Sequence, residues 1–185
     1  MRKSTLIILL ILSSLLSFSQ KEKIFWKEDF ASGKIPDGWQ NVALNDSSTT
    51  WFVTDQPYPG SYGRNYQAPP IASVSRGFHL QIAPGIRVGK NIKKWKKAGI
   101  QPDAYIQTKP IDCSAKRSVV LEFQQNFFWG EWEVPADNSG LIVAVSRDNR
   151  NWTEYDVHND IGPTEDCPNP MDVELNITRV AAGQK

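Results

Sequence analysis

The ten residues Val119-Val120-Leu121-Glu122-Phe123-Gln124-Gln125-Asn126-Phe127-Phe128 decide the fold class of this chain. Val119, Leu121, Phe123 and Phe127 fall on one phase of a two-residue period, and Glu122, Gln124 and Asn126 fall on the other. Successive side chains of an extended segment point to opposite faces, so this stretch reads as a strand with one buried face and one wet face. Residues 172–178 repeat the pattern: Val173, Leu175 and Ile177 alternate with Asp172, Glu174, Asn176 and Thr178.

Between these two strands, Leu141–Val145 is apolar at every position and reads as a central strand covered on both sides. Trp152–Val157 is a further strand, and Asp148-Asn149-Arg150-Asn151 before it supplies the turn residues of a hairpin. Toward the N-terminus, Ile24–Phe30 reads as a strand, followed by turn signals at Ser32-Gly33 and Pro36-Asp37-Gly38. Trp39–Val42, Thr50–Thr54, Phe78–Ile82 and Tyr105–Thr108 are short strand segments, and Ile92–Ala98 has room for one helical turn. Seven Trp, eight Phe and five Tyr, with twelve Gly and twelve Pro, suit short strands joined by tight turns. The expected fold class is all-β, an antiparallel sandwich.

The first nineteen residues stand apart. Arg2 and Lys3 precede an apolar run from Leu6 to Leu16, and the small residues Ser17 and Ser19 take the −3 and −1 positions before Gln20. That is the three-part pattern of a secretory signal peptide. The run is too short for the ~20 residues that span a bilayer, and no second long run follows, so the chain is not expected to be an integral membrane protein after cleavage. The domain organisation is then a signal peptide, 1–19, and one sandwich domain, 20–185. Losing Arg2 and Lys3 takes the formal net charge from +1 to −1. A near-neutral chain has no global field to draw in nucleic acid. Cys113 and Cys167 either form a disulfide in an oxidising compartment or remain two separate thiols.

Several phrases in order resemble one family. Glu28-Asp29-Phe30, Ile35-Pro36-Asp37-Gly38-Trp39 and Trp51 are similar to the opening of MAM-like jelly-roll modules, among them the cleaved-adhesin and choice-of-anchor J domains of secreted Bacteroidetes proteins. Ala104–Asp112 is similar to that family's strand and turn, and Leu141–Ser146 followed by Asp148–Thr153 to its hairpin. The resemblance implies a jelly-roll sandwich. It also implies final strands where this sequence reaches Gly183-Gln184-Lys185, so the domain reads as lacking them or as closing differently. Residues 87–101 look like an insertion. The resemblance further implies a structural calcium near the first strand, matched here by Glu28 and Asp29 with Asn45 and Asp46 in the following polar loop. Carboxylate and amide oxygens are the hard donors calcium takes.

For a ligand, Glu122, Gln124 and Asn126 share one side of the long strand, and Trp129 and Trp132 follow at its end. Aromatic rings beside amides and a carboxylate suit a sugar; the same rings also suit the end of a core. Lys90, Lys93, Lys94, Lys96 and Lys97 around Trp95 form either a polyanion-docking run or a solvated loop. Catalysis finds little. The only histidines are His79 and His158, and Ser73-Val74-Ser75-Arg76-Gly77 lacks the first glycine of a nucleophile elbow. The expectation is a noncatalytic secreted or cell-surface module that recognises an extracellular glycan or protein. The alternatives are an accessory domain of a larger secreted hydrolase or peptidase, and a structural spacer.

Overall fold

A computed structural model describes residues 23–45, 49–56, 77–82, 103–127, 140–158, 161 and 167–185. Its strands are β1 (Gln40–Ala43), β2 (Phe52–Thr54), β3 (His79–Gln81), β4 (Ala104–Gln107), β5 (Val120–Gln125), β6 (Ile142–Ser146), β7 (Trp152–Asp156) and β8 (Met171–Asn176). One helical turn, α1 (Thr178–Ala181), follows β8. Among the described residues the strands form four antiparallel pairs, β1–β4, β2–β3, β5–β8 and β6–β7. The fold is all-β and antiparallel, with almost no helix.

The two alternating segments pair with each other. Leu121 lies opposite Leu175 and Phe123 opposite Val173, which puts the apolar phases of β5 and β8 on one face. Opposite residues in an antiparallel pair are close enough to pack directly. Ile177 N–H extends the ladder onto the Val119 carbonyl at 3.1 Å. Val119, Ile177 and Cys113 form the buried centre, and Val145 of β6 and Tyr155 of β7 pack against it with Leu121 and Leu175. Both ladders therefore give one face to the same apolar cluster, as two stacked sheets do.

The C-terminal segment closes this cluster. Thr178 Oγ1 accepts from Val119 N–H at 3.0 Å and lies 3.2 Å from the Val119 carbonyl. After α1, Gly183, at φ 73 in the left-handed region a glycine adopts freely, donates to the Cys113 carbonyl at 3.1 Å. Cys113 N–H returns a bond to Gln184 at 2.8 Å. Cys113 and Cys167 are separate thiols, the first buried and the second half-buried.

Two local readings differ from what is found. Ile24–Phe30 is not a strand: Phe30 has φ 56 and its N–H is taken at 2.6 Å by the Glu28 carboxylate. A positive φ and a local side-chain acceptor both oppose extended pairing. The apolar residues there meet through rings instead, Trp26 stacked on Trp39 with centroids 6.4 Å apart and Phe30 edge-on to Trp39 at 5.9 Å. Lys116 Nζ sits 4.5 Å from the Phe25 ring centroid. The second difference is β6, which is covered on one face only. Ile142 is 53% exposed and Ala144 is exposed, because that phase lies opposite Asp156 and Glu154 of β7.

Candidate functional site

The hairpin joining β6 to β7 is built by two side chains. Ser146 Oγ accepts from the N–H groups of Asp148 at 3.3 Å and Asn149 at 3.0 Å. Asp148 Oδ1 accepts from Arg150 N–H at 2.9 Å and Asn151 N–H at 2.8 Å, while its Oδ2 accepts from Asn151 Nδ2 at 2.7 Å. These bonds do what Asp and Asn do in turns, replacing a backbone partner with a nearby side chain. Asn149 takes φ 57, a conformation asparagine tolerates better than most residues. The Asn151 amides, and then Arg150 N–H, hold the Asp148 carboxyl far below the usual carboxylate range. Gln107 Nε2 on β4 donates to Asn149 Oδ1 at 2.8 Å, which ties the turn to the β1–β4 ladder.

Beside this turn lies a depression of about 160 Å³ lined by Arg147, Asn151, Trp152, Thr153, Arg179 and Val180. Three separate pieces meet there: the hairpin turn, the start of β7, and α1. Val180 is buried, which seats α1, and Arg179 beside it is exposed. Trp152 is 43% exposed. It shares the outward phase of β7 with Glu154 and Asp156, whereas Tyr155 packs into the core. Neither the Arg147 nor the Arg179 guanidinium makes a hydrogen bond or ion pair among the described residues.

The residues expected from the sequence fall elsewhere. Glu122 and Gln124 lie on the outward face of β5, opposite Glu174 and Asp172 of β8. Gln124 Nε2 donates to Asp172 Oδ1 at 2.8 Å. Asn126 lies past the end of β5, and its amide donates to the carbonyls of Cys167 at 3.5 Å and Pro168 at 3.4 Å. Trp129 and Trp132, like the lysine run from Lys90 to Lys97, lie outside the described residues.

The carboxylates named for calcium serve their own backbone in part. Glu28 accepts from Phe30 N–H, and Asp29 Oδ1 accepts from Ala31 N–H at 3.1 Å while Oδ2 lies 3.4 Å from Lys27 Nζ. Asn45 follows β1, and Asp46 lies outside the described residues. Of the histidines, His79 Nε2 lies 3.2 Å from Gln81 Oε1. His158 Nδ1 lies 2.6 Å from Asp156 Oδ1, and its ring meets Phe127 edge-on.

Arg147, Trp152 and Arg179 were not singled out by sequence reasoning. A signal for Trp152 was present: it stands on the same phase as Glu154 and Asp156, so an aromatic ring occupies the wet side of its strand. Arg179, twenty-seven positions beyond Trp152, carried none. Comparison with known proteins adds nothing to these observations. No family model, curated protein or solved structure matches this chain.

Proposed function

We propose that the chain is a noncatalytic extracellular recognition module, a jelly-roll sandwich that binds a saccharide at the depression between the β6–β7 turn and α1. The observation that carries this reading is Trp152, 43% exposed, which lines one depression together with Arg147, Arg179, Asn151 and Thr153. An aromatic ring offers the apolar faces of a sugar a flat surface, and the polar groups around it fix orientation. The volume bears on size. About 160 Å³ is well under the ~300–1,000 Å³ of pockets that engulf whole drug-sized ligands, so one ring of a longer chain is the fitting occupant. The signal-like start of the chain supports export, and the jelly-roll form rests on the motif resemblance together with the antiparallel, two-layered core.

A glycan array with the purified chain tests the reading. Retention of at least one saccharide is expected, with about a tenfold loss of affinity in Trp152→Ala, corresponding to ~1.4 kcal/mol. Retention of no saccharide refutes it. Trp129→Ala and Trp132→Ala separate this site from one at the end of β5 built with Glu122, Gln124 and Asn126: losses confined to those two variants move the binding there.

The reading includes a structural calcium held by Glu28, Asp29, Asn45 and Asp46, supported by the oxygen chemistry of those donors. An ion bound only by the folded chain raises its melting temperature, so chelator lowers it. A melting temperature indifferent to chelator removes the ion from the reading.

A further inference from the structure

We propose that the depression selects an anionic sugar, whose carboxylate or sulfate ester is gripped between Arg147 and Arg179 while its ring rests on Trp152. This rests on the saccharide reading above and adds the charge class of the ligand.

Four observations converge. The two guanidiniums that line the depression have no carboxylate or carbonyl partner among the described residues. A planar guanidinium presents a fork of N–H donors that matches carboxylate and sulfate oxygens two at a time, and it is more weakly hydrated than an ammonium. The carboxylate nearest in sequence forms no ion pair with either of them. Asp148 spends its oxygens on Arg150 N–H, Asn151 N–H, the Asn151 amide and Ser146 Oγ, all within the turn.

Third, the arginine backbones are fixed before any ligand arrives. Arg147 sits in a turn braced by Ser146, Asp148 and, from another ladder, Gln107. Arg179 sits on α1, anchored by buried Val180 and by Thr178 on Val119. Less ordering remains to oppose binding when the frame is already set. Fourth, the positive charge is local. The whole chain carries a formal net charge of only +1, so attraction of an anion belongs to this depression and not to the field of the protein.

Polygalacturonate and its fully methyl-esterified form share a backbone and differ in charge, which makes them the probe pair; dextran sulfate against dextran supplies the sulfate arm. The expected result is at least tenfold tighter binding of an acidic polymer than of its neutral partner, weakening as sodium chloride rises. Which acidic polymer binds identifies the anion. Arg147→Ala and Arg179→Ala each lower acidic binding about tenfold, a larger loss than they cause for the neutral partner, and Arg147→Lys recovers only part of the loss. Both arginines are exposed, so unchanged melting curves certify the folded state of the variants.

Equal binding of the acidic and neutral forms overturns the inference. So does acidic binding that survives the double arginine variant, because the attraction then lies elsewhere. Poly-L-glutamate binding as tightly as polygalacturonate, with Trp152→Ala harmless to both, also overturns it by exposing a generic polyanion surface. Binding of neutral sugars alone, lost in Trp152→Ala, sinks this inference and leaves the saccharide reading standing. Binding of no sugar in any form sinks both.

Discussion

Gln125 Nε2 lies 2.6 Å from the carbonyl oxygen of Val157, and this buried bond links the end of β5 to the end of β7. Gln125 is 8% exposed, and its Oε1 has no hydrogen-bond partner among the described residues. The amide is held one way round because a flipped orientation would set two oxygens against each other. A carboxylate at this position faces the same carbonyl and carries a charge out of water. Gln125→Glu is therefore expected to cost about 3 kcal/mol or more at pH 7. Burial favours the neutral acid and raises its folded-state pKa, so the deficit shrinks as pH falls through that raised value toward the ordinary carboxylate range and levels off below it. Gln125→Met trades one bond for the removal of an unpartnered oxygen and costs about 1 kcal/mol. Urea unfolding at pH 7 and pH 4 measures both; equal stability of Gln125→Glu and the parent at pH 7 contradicts the placement.

The centre of the core rests on few side chains. Ile177 is 9% exposed and clusters with Val119 and Cys113, and its N–H also extends the β5–β8 ladder. Shortening it leaves a cavity that backbone pairing on both sides keeps from collapsing. Ile177→Val is expected to lose ~1 kcal/mol and Ile177→Ala ~2–4 kcal/mol in equilibrium denaturation. A loss below ~0.5 kcal/mol for Ile177→Ala means the site is not core.

Asp148 makes the hairpin sensitive to acid. The folded chain keeps this carboxyl ionised far below its ordinary value of 3.8. A depressed pKa stabilises fully at neutral pH, and the contribution drains away as pH falls below about 4 and through the folded value. Asp148→Ala should accordingly melt at a lower temperature than the parent at pH 7, with the gap narrowing toward pH 2. A gap that stays constant between those limits rules out the carboxylate as its source.

The two thiols should react at different rates. Cys113 is 6% exposed, and burial, with Asp112 beside it, pushes its thiol pKa up despite Lys116. Cys167 is half-buried, in contact with the Pro168 carbonyl at 3.4 Å and Met171 Sδ at 3.9 Å. Because the thiolate is the reactive form, iodoacetamide at neutral pH is expected to modify Cys167 in the native chain and Cys113 only on unfolding. Mass spectrometry with and without urea reads this directly. A native chain with neither thiol available, and a mass lower by two hydrogens, shows a disulfide instead.

Local sequence alone determined the extended conformation and apolar face of β5 and β8 and the turn between β6 and β7. The alternation from Val119 to Phe123 and from Val173 to Ile177 allows one extended conformation with one apolar face, and Asp148–Asn151 turns because its side chains bond their own backbone. Tertiary structure decided the partners. Nothing in residues 119–127 announces that β5 pairs with β8 rather than with β6, because a two-residue period carries phase but no address. The same holds for β1 with β4. Where local chemistry competes with pairing, as Glu28 does for Phe30 N–H, an apolar run such as Ile24–Phe30 leaves the sheet. The depression is the extreme case: Arg147 and Trp152 sit around one turn, but Arg179 reaches them only once β8 has carried α1 back across the core.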